Sequence, residues 1–203
     1  MVICVTDQES MGISFLEQFQ KICNGAPDQI ILRAKYLDMH TYERLAEKCL
    51  AIALEKHITL LFHSHLTLSK KLDNHNIHLP FDSFISKYHT LSDFNVVSVA
   101  VHSAREAQLA QFLGATQVIA GHVFQTDCKA AIEPRGLSFL KEICSKASIP
   151  VMAIGGVTPE RYADLISSGA TGVCIMSSIM NSPEPKVLID RFKNIKLTQF
   201  KIE

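Results

Sequence analysis

The sequence has no Cys-x-x-C pair, no excess of charge of either sign and no long apolar run. Its six cysteines, at 4, 23, 49, 128, 144 and 174, are scattered, so a cysteine zinc site has no support and reduced thiols are expected rather than a disulfide framework. Lys+Arg and Asp+Glu both number 20, which leaves no basic surface for nucleic acid or an anionic membrane; neither is an expected partner. The closest approach to a membrane span, Leu165 to Pro183, is uncharged but broken by Ser167, Ser168, Gly169, Gly172, Ser177 and Ser178. It falls short of the ~18–20 continuous apolar residues that a membrane span requires. Met1-Val2-Ile3-Cys4-Val5-Thr6-Asp7 shows neither a basic n-region nor a long apolar h-region, so the expected location is cytoplasmic.

What is present suits one ordered domain over residues 1–203, with 47% hydrophobic and 20% charged residues. Eight short β-branched apolar runs recur: Val2–Thr6, Gln29–Arg33, Thr59–His63, Ile77–Leu79, Val96–Val101, Gln117–Ala120, Pro150–Ile154 and Gly172–Ile175. Most are separated by segments with helical spacing, such as Tyr42/Leu45/Cys49/Ile52 and Leu137/Leu140/Cys144. The runs are apolar throughout rather than alternating, as in a parallel sheet covered on both faces. The pattern predicts an α/β chain folded as a single (β/α)8 TIM barrel, with a doubly wound open sheet as the competing architecture. Phe81–Leu91 is the weakest helical segment. Thr158-Pro159-Glu160 reads as an N-cap with Pro at the first helical position, and Ser103-Ala104-Arg105-Glu106 as a capping box that opens a helix ended by Gly114.

In such a barrel the functional groups follow the strands. Gly155-Gly156 after the seventh run and Ser177-Ser178 after the eighth can bring backbone N–H groups and hydroxyls to a phosphate; the plainer reading of the glycines is a tight turn. Arg33 and Lys35, two apart on an extended segment, share a face and can aim at a carboxylate or phosphate, or else form a solvated surface pair. His122, directly after Gly121, is the group suited to moving a proton both ways near neutrality, although a lone His is often structural. His63-Ser64-His65 places two imidazoles on one face with no third ligand at recognisable spacing, so no metal is expected. His40, His57, His75 and His89 receive no role.

Gln29-Ile30-Ile31-Leu32-Arg33-Ala34-Lys35, Ile77-His78-Leu79, Val97 to Ser103, Gly121 to Lys129, Ala153-Ile154-Gly155-Gly156-Val157 and Met176-Ser177-Ser178 together resemble the thiamine phosphate synthase/TenI superfamily, in order along nearly the whole chain. The resemblance implies one of two activities. The synthase couples a pyrimidine diphosphate to a thiazole phosphate with Mg²⁺, using carboxylates at positions that here read His63-Ser64 and Ser83; Asp82 lies one residue out of register. The Gly121-His122-Val123-Phe124-Gln125-Thr126-Asp127-Cys128-Lys129 run looks instead like thiazole tautomerase, the TenI-type member.

The resemblance therefore implies an isomerase of thiamine biosynthesis that needs no cofactor and takes a thiazole phosphate as its small-molecule partner. His122 would carry the proton, Gly155, Gly156, Ser177 and Ser178 would hold the phosphate, and Arg33 and Lys35 would face the carboxylate. Thr126 and Lys129 would close over the substrate, with a merely solvated Lys129 as the alternative. The synthase and a non-catalytic sensor of phosphate ligands stand as the alternatives, and the sequence leaves self-association open.

Overall fold

The computed structural model describes residues 1–7, 14–126 and 131–195. Within them, β1 (Val2–Val5), β2 (Gln29–Leu32), β3 (Thr59–His63), β4 (Asn76–Pro80), β5 (Val96–Val101), β6 (Gln117–Gly121), β7 (Val151–Ile154) and β8 (Gly172–Ile175) form a closed barrel in chain order. Every ladder is parallel, and the circle closes where Val2, Ile3 and Cys4 pair with Val173, Cys174 and Ile175. Helices α1 (Phe15–Asn24), α2 (Met39–Glu55), α3 (Leu66–Lys71), α4 (Phe81–Lys87), α5 (Ala104–Phe112), α6 (Gly136–Lys146) and α7 (Tyr162–Ser167) follow β1 to β7 in turn. After β8 come the short α8 (Ser177–Met180) and α9 (Pro185–Lys193). The closed circle excludes the open doubly wound sheet.

The uniform apolarity of the strands has its cause in this closure. Ile3, Val5, Ile31, Leu61, Ile119, Met152 and Cys174 fill the barrel interior, while the alternate strand residues, such as Val2, Cys4, Ile30, Leu60 and Phe62, pack outward against helices. At the amino-terminal end the interior is closed by Gln29 and Gln117, whose buried side-chain amides bond to each other at 2.7 and 3.3 Å across the barrel.

Local chemistry sets the ends of elements. Ser14 caps α1 in a full capping box: its hydroxyl accepts from the Glu17 amide at 3.3 Å and the Glu17 carboxylate accepts from the Ser14 amide at 3.0 Å. Ser103 caps α5 as expected, but Glu106 reaches one residue further back, accepting from the His102 amide at 2.7 Å.

The expected Thr158 cap differs. Its side chain makes no capping bond; its backbone carbonyl accepts from the Arg161 amide at 3.1 Å, so the segment opens as a 3-10 turn, Pro159–Arg161, before α7. The weak Phe81–Leu91 segment resolves into α4 and a 3-10 turn, Tyr88–Thr90. β2 stops at Leu32 rather than Arg33, because the Arg33 amide turns to the Thr6 hydroxyl at 2.8 Å instead of a strand carbonyl. The described cysteines, 4, 23, 49, 144 and 174, are all free thiols. No helix among the described residues is long and apolar enough to cross a membrane.

Candidate active site

The carboxyl ends of the strands surround a cavity of about 650 Å³, within the range of small-molecule sites. Arg33, Lys35, His122, Thr126, Gly155, Gly156, Ser177 and Ser178 all line it, so the barrel brings together residues spread over most of the chain. Lys129, Asp127 and Cys128 lie outside the described residues.

The β6 and β7 ends are built as one unit. Val123 and Phe124 donate their amides to the carbonyls of Ile154 and Gly155 at 2.9 and 3.0 Å, which lays the His122–Gln125 segment along the glycine pair. Gly155 (φ +100°) and Gly156 (φ +61°) both occupy backbone regions that favour glycine. A side chain at Gly155 would strike His122, whose Cα would be only 2.8 Å from the new Cβ; one at Gly156 would meet Phe124 Cβ at 2.7 Å and the Gln125 carbonyl. The glycines thus serve close packing as well as the turn.

His122 is buried, only 3% exposed, with its backbone carbonyl accepting from the Arg135 amide at 3.0 Å. Its Nε2 lies 3.2 Å from the Ile132 carbonyl. A carbonyl can only accept, so Nε2 carries the proton in the neutral ring and Nδ1 keeps the lone pair. This leaves Nδ1 as the basic nitrogen for any proton abstraction.

Charge in the cavity is cationic. Arg33, half-buried, forms an ion pair with Asp7, so part of its charge is already neutralised. Lys35 is exposed at the mouth and makes no ion pair among the described residues. The sequence reading treated these two as equivalent; the structure separates them.

Arg161, just past the Thr158-Pro159-Glu160 helix start and given no place in the site by the sequence, lines the same cavity. Its guanidinium donates to the Gly156 carbonyl at 2.8 Å and lies 4.6 Å from the centre of the Phe124 ring. A basic residue five positions after the Gly155-Gly156 turn was the available signal.

Sequence reasoning also gave no role to His63, His78 and His102, all of which border the cavity. His63 and His78 are inward-facing neighbours on β3 and β4, paired in register, with ring centres 5.5 Å apart. Burial, with the charges of Lys35 and Arg33 adding to it, pushes His63 down to about 4. Burial, then His63 and Lys35, pushes His78 down to about 3. Both rings are therefore neutral at physiological pH.

The Mg²⁺ that the family resemblance brings with synthase activity does not fit this lining. Magnesium favours carboxylate and other hard oxygen donors. Among the described residues the cavity lining contains no Asp or Glu, and no cluster of three or more His, Cys, Asp or Glu could hold a metal. Asp82 is exposed on the first turn of α4, outside the lining.

Fold and site together define a (β/α)8-barrel protein with a cavity of mixed apolar and basic lining at the carboxyl ends of its strands. The chain belongs to the thiamine monophosphate synthase (TMP-TENI) family, whose model matches residues 2–179. It is 29% identical over 177 residues to the putative thiamine-phosphate synthase 2 of Aquifex aeolicus, covering 87% of this chain and 95% of that protein. It is 27% identical over 190 residues to the thiamine-phosphate synthase of Roseiflexus castenholzii, covering 92% of this chain and 83% of the relative.

Among solved structures, thiamine phosphate pyrophosphorylase from Pyrococcus furiosus superimposes with a TM-score of 0.81 at 19% identity, over 95% of this chain and 93% of that one. The superfamily expectation therefore stands. The more specific tautomerase expectation is not singled out by these relatives, which carry the synthase name.

Proposed function

We propose that this chain is an isomerase of thiamine biosynthesis that converts the carboxythiazole phosphate tautomer into its aromatic form. The observation that carries the reading is a cavity that combines a buried imidazole with cations and, among the described residues, no carboxylate. Aromatisation removes a proton from the ring carbon bearing the carboxylate and adds one to the exocyclic carbon. No electrons leave the substrate, and one base that returns its proton completes the reaction. His122 Nδ1 takes the first proton, and the imidazolium gives it to the exocyclic carbon.

Gly155, Gly156, Ser177 and Ser178 supply backbone N–H groups and hydroxyls for the phosphate, with Arg161 beside them. Lys35 is the principal cation for the carboxylate and Arg33, tied to Asp7, the lesser one. Thr126 borders the cavity and Lys129 follows it in the chain; both are assigned to closing over the substrate.

The test is to follow aromatisation of the purified tautomer by ultraviolet absorbance. His122→Gln is expected to lower kcat by roughly 10²–10⁴-fold with the circular dichroism spectrum unchanged. A loss below tenfold would demote His122 to positioning.

A second reading, thiamine-phosphate synthase, is favoured by the names of the relatives, which support it better than they support the tautomerase. The two readings separate in one tube. Wild-type protein with the pyrimidine diphosphate, thiazole phosphate and Mg²⁺ is expected to yield no thiamine phosphate, and turnover to that product would establish the synthase instead.

A further inference from the structure

On the wall facing the glycine pair, β3 and β4 carry the two histidines that the proton transfer does not use, since β3 and β4 stand opposite β7 and β8 in an eight-stranded circle. His78 Nδ1 lies 2.9 Å from the Ser98 hydroxyl. Ser98 is wholly buried, and this is its one side-chain hydrogen bond among the described residues. A buried hydroxyl has one proton to place, and the ring nitrogen is the acceptor at hand, so Oγ–H donates to Nδ1. Nδ1 then holds the lone pair, and the ring's own proton sits on Nε2.

Nε2 has no hydrogen-bond partner among the described residues, although His78 borders the cavity. His63 packs beside it, and Lys35 is close enough for its charge to act on both rings. The result is a neutral, fixed N–H donor next to a cation. That arrangement suits one carboxylate oxygen on the N–H and the net charge on the ammonium.

We propose that His78, with its tautomer fixed by Ser98, donates Nε2–H to the substrate carboxylate alongside Lys35 and selects carboxylated over uncarboxylated thiazole phosphates. The inference rests on the tautomerase reading and deepens it. The substrate is gripped at two anionic ends on opposite walls, its phosphate by the β7 and β8 ends and its carboxylate by the β2 to β4 side.

Titration calorimetry with two ligands tests this: the aromatic carboxythiazole phosphate and the same thiazole phosphate without its carboxylate. Wild-type protein is expected to prefer the carboxylated ligand by roughly tenfold or more, the scale of a hydrogen bond to a charged group. His78→Phe is expected to shrink that preference several-fold, Lys35 keeping the remainder, while leaving affinity for the uncarboxylated ligand unchanged. His78→Gln, which keeps an N–H donor, is expected to restore most of it. Ser98→Ala frees the ring to move its proton to Nδ1 and turn a lone pair on the carboxylate, so the preference is expected to shrink several-fold.

An undiminished preference in His78→Phe or Ser98→Ala overturns the inference, as does an equal weakening of both ligands. Should His78→Phe not fold, Ser98→Ala and His78→Gln decide by the same comparison. A wild-type protein that binds both ligands equally sinks this inference alone. One that binds neither sinks the tautomerase reading with it.

Discussion

Gly155 shows how a single missing side chain can serve two neighbours. Its backbone conformation and the nearness of His122 both exclude a Cβ, so the residue belongs to the placement of the imidazole as much as to any phosphate. Gly155→Ala is therefore expected to act mainly on kcat, by roughly tenfold to a hundredfold, because small displacements of a reacting group are costly. Gly156→Ala presses on Phe124 and the Gln125 carbonyl, next to the carbonyl that holds Arg161, and is expected to act mainly on KM. Steady-state kinetics of the two variants, read as a split between kcat and KM, checks the distinction.

Individual elements show what the sequence could and could not reveal. β3, β5 and β8 fall where their runs begin and end, since a strand covered on both faces reads as a near-continuous apolar run. The inward turn of His63 and His78 was not legible, because facing in a strand reverses with a shift of one residue and only the register with neighbouring strands settles it. Arg161 was hidden for a related reason: its role depends on a 3-10 turn that swings it back over Gly156.

α9, also unforeseen, starts at Pro185 and sets Ile189 and Phe192 into the outer core, with Phe192 against Tyr162 of α7. Phe192→Ala is expected to lower stability by about 3–5 kcal/mol, measured by urea unfolding. Ser14→Ala, which removes the capping oxygen of α1, is expected to cost about 1 kcal/mol in the same assay.

The whole molecule carries an acid sensitivity that originates inside its barrel. His63 and His78 resist protonation when folded, down to about 4 and about 3, whereas in the unfolded chain they titrate from about 6.5. Between those values the unfolded state binds more protons, so stability rises with pH and is lost as pH falls from about 6.5 towards 4. The urea midpoint is expected to be lower at pH 5 than at pH 7. The double variant His63→Gln/His78→Gln is expected to narrow that difference.

The Gln29–Gln117 amide pair, sealed beneath layers of Ile, Leu and Met, makes the barrel a cup rather than a tube. Whatever reacts inside must depart by the rim through which it came. Newly formed product thus occupies the doorway of the next molecule, and its accumulation must compete head-on with fresh reactant for an entrance that only one can use at a time.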